Sequence, residues 1–354
     1  MINMDIHEIQ SALLEVVHPA KQNKSIVELG MVGDIEATDK KFTVTLIFPK
    51  RRDPLAEYLI GAARAALIRN FPDVESEVKT VVAEDPKPAK KKLDLNDDTI
   101  KHIGKVIGIA SGKGGVGKST VAVNLAVALA RLGYKVGLAD ADVYGPSVPT
   151  MTATQGMQPA AYGEEGHELM VPIEKYGVKW MSIGYFAGED QALIWRGPMA
   201  CSALKQMILQ VDWGELDFLL IDLPPGTGDI HISLVQDIRM DSAIVVTTPQ
   251  KVAISDVRKG IGLFQNENVN RRILGIVENM AWFTPAEHPD EKYFIFGRDG
   301  GAEMAAGLGL DLLAQIPLVQ SVRESGDAGQ PAALGTGPDA QAFIELAGKV
   351  AEIA

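Results

Sequence analysis

A glycine-rich stretch with two lysines is the part of this sequence best equipped for chemistry. It follows the apolar run Val106–Ala110 and precedes the helical pattern Val121–Leu132. A glycine-rich turn between a strand and a helix points backbone N–H groups at an anion, so the pattern predicts a nucleoside triphosphate site. Lys118 would reach the β- and γ-phosphates, and the Ser119 hydroxyl would bind Mg²⁺. The predicted nucleotide-binding residues of this loop are Gly112, Lys113, Gly114, Gly115, Val116, Gly117, Lys118, Ser119 and Thr120.

The second lysine, Lys113, directly follows the first glycine of the loop. The pattern Gly-Lys-Gly-Gly-Val-Gly-Lys-Ser resembles the deviant Walker A motif of the MinD/ParA and nitrogenase-iron-protein class. In that class the early lysine reaches the phosphates of a dimer partner. The resemblance therefore implies an ATP-dependent homodimer with catalytic roles for Lys113 and Lys118; the alternative for Lys113 is a solvated loop lysine.

Three acidic residues follow apolar strands further along the chain. Asp140 and Asp142 end one strand, and Asp222 ends the run Phe218–Ile221. The carboxyl ends of parallel strands border the ligand crevice, which predicts that these acids lie near the loop. Asp222 would hold Mg²⁺ together with Ser119, with Asp140 nearer the metal. Asp142 resembles the acid that orients the attacking water in this class, or else it caps a following turn.

The segment after Asp222 reads Leu-Pro-Pro-Gly-Thr-Gly-Asp, which predicts a rigid turn. Gly226 could offer its N–H to the γ-phosphate, so that this loop senses hydrolysis. Two later positions match places where the class recognises adenine: Asn279, after the strand Ile273–Glu278, and Pro317, at the end of the last strand.

These residues require alternating strands and helices, which predicts an α/β fold with a mostly parallel sheet covered on both faces. The strands are expected at 105–110, 135–140, 178–183, 217–222, 242–248, 272–278 and 312–316. The N-terminal residues 1–83 read as a small α+β domain, with helices at 7–17 and 54–70 and strands at 26–35, 42–48 and 76–83. A Pro- and Lys-rich linker at 84–98 precedes the nucleotide-binding domain at 99–354.

Composition narrows the class of protein. The 354 residues are 46% hydrophobic and 23% charged, as in a globular protein. The net charge of −12 argues against nucleic acid as a partner. No apolar run approaches the roughly 18 residues needed to cross a membrane. The single cysteine, Cys201, excludes an internal disulfide framework and favours a cytoplasmic location.

Four segments together resemble the Mrp-type iron–sulfur cluster carrier ATPases. They are Asp140–Ser147, Trp195–Met199, Asp222–Asp229 and Val277–Met280. The N-terminal unit resembles the small iron–sulfur assembly domain often fused to that family. The resemblance implies ATP and Mg²⁺ as cofactors, an iron–sulfur cluster as cargo, and apo iron–sulfur proteins or assembly factors as partners.

The chain departs from that family in one respect. Members usually carry a Cys-x-x-Cys pair between an Asn-Met motif, here Asn279-Met280, and a Phe-Gly motif, here Phe296-Gly297, but the interval Ala281–Ile295 has no cysteine. A cluster shared by two protomers needs two thiolates from each. Cys201 is the one candidate ligand from this chain, or simply a packing residue, and His288 is either a nitrogen ligand or a surface histidine.

Two other functions fit the nucleotide motifs. A spatial-organisation ATPase of the MinD/ParA kind would attach to a surface, yet residues 303–354 hold only Arg323 and Lys349 as bases against seven acids. A nucleotide-gated scaffold would bind ATP without turnover, and the presence of Asp142 and Asp222 argues against it.

Overall fold

The structure, a computed structural model, describes most of the chain in two compact units, Met1–Leu93 and Asp94–Ala354. The described residues are 6–19, 21, 24–38, 41–48, 55–82, 99–164, 168–186, 197–266, 269–285, 288 and 290–354. The predicted linker at 84–98 and the pair Trp195–Arg196 lie outside them.

The first unit packs two helices and a sheet around its own core. Its elements are α1 (Ile6–Leu13), β1 (Val32–Ala37), β2 (Lys41–Phe48), α2 (Ala56–Asn70) and β3 (Glu75–Val82). Strand β2 lies between the other two, antiparallel to β1 and parallel to β3. Leu13 of α1, Leu59 of α2 and Phe42 of β2 are fully buried together.

The strand predicted at 26–35 begins only at Val32, so the first half of that prediction is wrong. Residues Ser25 and Glu28 cap each other in a turn instead. The Ser25 N–H donates to the Glu28 carboxylate at 2.7 Å, and the Glu28 N–H donates to Ser25 Oγ at 3.2 Å. These local bonds satisfy the backbone without a neighbouring strand.

The second unit alternates strands and helices, as the sequence predicts. Its elements are β4 (Lys105–Ser111), α3 (Lys118–Arg131), β5 (Val136–Asp140), α4 (Val148–Met151), β6 (Ala161–Tyr162), β7 (Leu169–Met170), β8 (Ile173–Lys175), β9 (Val178–Ser182), α5 (Gly197–Leu209), β10 (Phe218–Asp222), α6 (Asp229–Asp237), β11 (Ser242–Thr247), α7 (Lys251–Phe264), β12 (Arg272–Phe283), α8 (Gly300–Leu308), β13 (Leu312–Leu318), α9 (Gln320–Asp327) and α10 (Pro338–Ile353). No helix in the described residues is both long and apolar enough to cross a membrane.

The main sheet has, among the described residues, eight strands in the order β13-β12-β11-β4-β10-β5-β9-β8. All neighbours are parallel except β8, which runs antiparallel to β9. On β11, Val245 packs with residues of α7 and α8, whereas its neighbours Ile244 and Val246 join the cluster that includes α3 and α10. Because successive strand side chains point to opposite faces, helices cover both faces of the sheet, which confirms the predicted fold class.

Strand β12 does not end at Asn279, as the sequence pattern suggested. It continues to Phe283, with an irregular register after Asn279 and a left-handed Met280 (φ 54°). This distortion turns the Asn279 side chain toward the glycine-rich loop, where it is 6% exposed.

Candidate functional site

Three neighbouring strands deliver the predicted chemical residues to one edge of the sheet. Strand β10 pairs with β4 on one side and with β5 on the other, and Asp222 is in register with both Ile109 and Asp140. The glycine-rich loop leaves β4 at this same edge and enters α3. Strand order alone therefore places the loop beside the acids at the ends of β5 and β10.

Asp222 binds both predicted phosphate- and metal-binding residues of the loop. Its Oδ1 lies 2.6 Å from Nζ of Lys118, and its Oδ2 accepts the Ser119 hydroxyl at 2.5 Å. Asp222 is fully buried and the Lys118 side chain is 6% exposed. Two oxygen donors of the kind that Mg²⁺ prefers, one hydroxyl and one carboxylate, thus meet next to the lysine predicted to bind phosphate.

Asp142 lies at the opening of this cluster. Its Oδ2 is 3.9 Å from Nζ of Lys118, and its side chain is 13% exposed. Burial raises the pKa of Asp142, and the nearby Lys118 ammonium opposes that rise. Asp142 also accepts the Tyr144 N–H at 3.2 Å, so it caps the following turn while it faces the site. The turn-capping interpretation of Asp142 is therefore confirmed, and its role in orienting water stays a prediction.

Asp140 sits deeper and is committed to protein partners. Its carboxylate accepts the Ser182 hydroxyl at 2.9 Å, the Asp142 N–H at 3.2 Å and the Val148 N–H at 3.3 Å. Burial, reinforced by the charge of Asp222, raises the pKa of Asp140 to about 7. The structure thus brings Ser119 and Asp222 into contact. Asp140 instead accepts hydrogen bonds from the backbone at both ends of the segment from Asp142 to Val148.

Glycine is required at two positions of the loop for different reasons. Gly117 has φ 80°, and a Cβ there would lie 2.2 Å from Nδ2 of Asn279. A Cβ on Gly112 would lie 2.3 Å from the backbone nitrogen of Val257 in α7. Asn279 in turn donates its Nδ2 to the Val116 carbonyl at 2.9 Å, which braces the loop from strand β12.

A cavity of about 670 Å³ opens beside the start of α3 and is large enough for a nucleoside. Both residues predicted to contact adenine, Asn279 and Pro317, line it. Its other walls come from the segment 145–151 and from helix α9, which the sequence reading did not predict.

Lys113 contacts a side chain, Gln250, that the sequence analysis did not predict. Its Nζ lies 3.5 Å from Oε1 of Gln250, the residue that precedes α7. Gln250 follows the carboxyl end of β11, so the rule that ligand sites gather at strand ends could have identified it. Within the described residues, Lys113 forms no ion pair and does not contact the acids of its own site.

Gly226 has its N–H directed at the loop. It donates to the Ser111 carbonyl at 3.0 Å, with φ 82°. The N–H predicted to detect the γ-phosphate is therefore hydrogen-bonded to the last residue of β4, directly before the glycine-rich loop.

Comparison with known proteins agrees with this geometry. Residues 102–351 match the family model of ParA-type NUBPL iron-transfer P-loop NTPases. The chain is 40% identical to the iron–sulfur cluster carrier protein of Synechocystis over 348 residues, which is 96% of this chain and 97% of that protein. The chain belongs to this iron-transfer P-loop NTPase family.

Three further proteins are similar to this chain. The iron–sulfur cluster transfer protein NUBPL of the mouse is 44% identical over 255 residues, covering 71% of this chain and 78% of that one. A nucleotide-binding protein from Archaeoglobus fulgidus, solved with ADP, is 35% identical with a TM-score of 0.59, covering 68% of this chain and 95% of that one. The cell division ATPase MinD of Pyrococcus furiosus is 25% identical with a TM-score of 0.52, covering 71% and 100%.

The residues that could ligate a cluster do not come together. Cys201 is half-buried on α5 and packs against the core of its unit. His288 is exposed beside Glu291. Within the part of the chain that the structure describes, no three His, Cys, Asp or Glu residues are grouped to hold a metal.

The interval where the resemblance leads one to expect two cysteines has a different construction. Phe283 and Tyr293 exchange two backbone hydrogen bonds of 2.8 Å as an antiparallel bridge. The Lys292 ammonium lies 3.8 Å from the ring centre of Trp282, a cation–π contact. A lysine and aromatic rings therefore occupy this interval, where a cluster would need thiolates.

Proposed function

We propose that this chain is a Mg²⁺-dependent ATPase that works as a homodimer in the assembly or transfer of iron–sulfur clusters to apoproteins. The observation that carries the ATPase part is the contact of Lys118 and Ser119 with one buried carboxylate, Asp222, beside a nucleoside-sized cavity. The names of the relatives, which are iron–sulfur cluster carrier and transfer proteins, support the cellular role.

Mg²⁺ fits the residues present, because a hydroxyl and a carboxylate already converge at 2.5 Å. Ser119 and Asp222 would hold the ion, Asp222 through water. When bound, the ion would neutralise charge on the phosphate oxygens. Asp140, Asp142 and Asp222 all lie around Lys118, so negative charge is concentrated where these residues would hold the ion.

The remaining steps belong to side chains and backbone of this chain. Lys118 would exchange its contact with Asp222 for the phosphate oxygens. Asp142 faces the same space with an accepting oxygen and can orient a water in line with the γ-phosphate. Asn279 presents an amide to the cavity, which suits the N6 and N7 edge of adenine, and Pro317 supplies apolar cover.

Lys113 supports the homodimer. Among the described residues, the one side-chain contact of Lys113 is the 3.5 Å contact with Gln250, and a lysine held so loosely can leave that position to meet phosphates bound by a second copy. Sedimentation of Asp142→Ala with ATP tests this step. This variant is expected to bind ATP without hydrolysing it. A dimer that forms with ATP, and that Lys113→Ala in the same background prevents, is the expected result.

The ATPase itself is tested by phosphate release with Mg²⁺. We expect slow turnover by the wild type, and its loss in Lys118→Ala and in Asp142→Ala. Lys135→Ala is the matched control, because Lys135 is exposed and its ion pair with Glu215 lies away from the site. A wild type that binds ATP and releases no phosphate would instead favour a nucleotide-gated scaffold.

The cluster ligands do not fit this chain alone, since one cysteine per protomer gives two thiolates per dimer. We propose that a partner protein supplies the thiolates and that this chain contributes the ATP-dependent step. Anaerobic reconstitution of the wild type and of Cys201→Ala, with iron counted per dimer, tests this. Equal, low iron content is expected; a cluster present in the wild type and lost in Cys201→Ala would overturn the partner-supplied ligands but not the ATPase.

A further inference from the structure

The loop between β10 and α6 is short of backbone donors, because Pro224 and Pro225 have no N–H. In the described structure its backbone is fastened at two places. Leu223 donates its N–H to the Ile109 carbonyl at 3.0 Å, and Gly226 donates to the Ser111 carbonyl at 3.0 Å. If Gly226 turns its N–H to a γ-phosphate, the second of these bonds breaks.

A third contact on this loop comes from a side chain. Nδ1 of His231, in the first turn of α6, lies 2.9 Å from the Pro224 carbonyl oxygen. A carbonyl only accepts, so Nδ1 carries the proton and donates. The imidazole is 2% exposed and packs edge-on against Phe264, with ring centres 5.8 Å apart.

The second ring nitrogen of His231, Nε2, indicates which contact of the imidazole matters. Nε2 is buried and has no hydrogen-bond partner among the described residues. An unpartnered buried polar atom carries a free-energy cost that an apolar ring would avoid. The Nδ1–H bond to Pro224 is the contact that a phenylalanine of similar shape could not make.

We propose that His231 is a positioning residue for ATP hydrolysis, which rests on the proposed function. Its bond to Pro224 ties the beginning of the loop to the helix that follows it. With Pro224 fixed, the Gly226 N–H turns about that point, from the Ser111 carbonyl to the γ-phosphate when ATP binds. His231 touches neither nucleotide nor metal, and it acts through the carbonyl that it holds.

Two amide variants separate this role from simple packing. His231→Asn keeps an N–H donor where Nδ1 stands, whereas His231→Gln moves the same amide toward the position of Nε2. Each purified full-length variant is assayed for kcat and KM with MgATP, for ADP affinity and for thermal unfolding. ADP serves as a probe that lacks the γ-phosphate.

We expect His231→Gln to lower kcat by roughly tenfold, the effect of about one hydrogen bond on a barrier, with ADP affinity within about twofold of the wild type. His231→Asn should recover kcat to within about threefold of the wild type. A kcat of His231→Gln equal to that of the wild type would overturn the positioning role. So would equal losses of kcat in both variants that parallel losses of thermal stability and ADP affinity. A wild type without turnover would instead refute the proposed function.

Discussion

Nζ of Lys118 lies 2.6 Å from Oδ1 of Asp222, and both side chains are buried. The Asp222 carboxylate therefore binds the lysine as a phosphate oxygen would. Asp222 thus supplies an internal anion for Lys118. Nucleotide binding would replace this charge-assisted hydrogen bond with one from Lys118 to a phosphate oxygen.

The first prediction concerns this ion pair in the absence of nucleotide. Asp222→Asn leaves the buried Lys118 ammonium facing an amide, with Asp142 still 3.9 Å away. Loss of one partner from a buried pair costs about 3 kcal/mol of unfolding free energy, measured by urea denaturation. MgATP should then stabilise this variant less than the wild type, because an oxygen ligand of the metal is also lost.

Asp237→Asn is the matched control for that measurement. Asp237 pairs with Lys205, but its side chain is 47% exposed. Surface pairs contribute at most about 1 kcal/mol, so this variant should unfold close to the wild type. Equal losses in the two variants would show that burial of the Lys118–Asp222 pair is not what makes it stabilising.

Asn279→Ala should separate recognition of the base from bracing of the loop. The Asn279 amide lines the cavity and also donates to the Val116 carbonyl at 2.9 Å. We expect ATP affinity to fall by about tenfold, as for one lost polar contact, and affinity for inorganic tripolyphosphate to fall by less than about threefold. Equal losses for the two ligands, measured by calorimetry, would assign Asn279 to the loop alone.

The grouping of Lys118, Ser119 and Asp222 was predictable from the sequence because these residues begin or end elements in a fixed order. Lys118 begins a helix and Asp222 ends a strand, and the rules for parallel sheets bring such positions to one edge. The contacts of Gln250 with Lys113 and of Ser182 with Asp140 were not predicted. A single polar residue at the end of a strand has no sequence pattern that distinguishes it. The turn at Ser25 and the antiparallel β8 escaped because each depends on local side-chain bonding or edge pairing rather than on apolar periodicity.

Gly117→Ala should damage the site through Asn279. The new Cβ would lie 2.2 Å from Asn279 Nδ2, at a backbone φ of 80° that costs an alanine about 1 kcal/mol or more. We expect a lower unfolding free energy and loss of measurable ATP binding. Gly114→Ala is the control for stability, since a Cβ there meets no atom within 4 Å. Unimpaired ATP binding by Gly117→Ala would contradict the close packing of loop and strand.

The stability of the chain toward acid should depend on His231. Burial lowers the pKa of His231 below its ordinary value of 6.5, and the charge of Lys118 adds to that effect. As the pH falls through about 6.5 the unfolded chain takes up a proton at this residue while the folded chain does not. Stability is therefore lost with falling pH until the folded pKa is reached, with a slope of at most about 1.4 kcal/mol per pH unit. The unfolding free energies of the wild type and of His231→Asn are compared by urea denaturation from pH 8 to pH 5. Below pH 6.5 the wild type should lose stability relative to the variant. A pH-independent difference would mean that the folded chain protonates this imidazole as readily as the unfolded one.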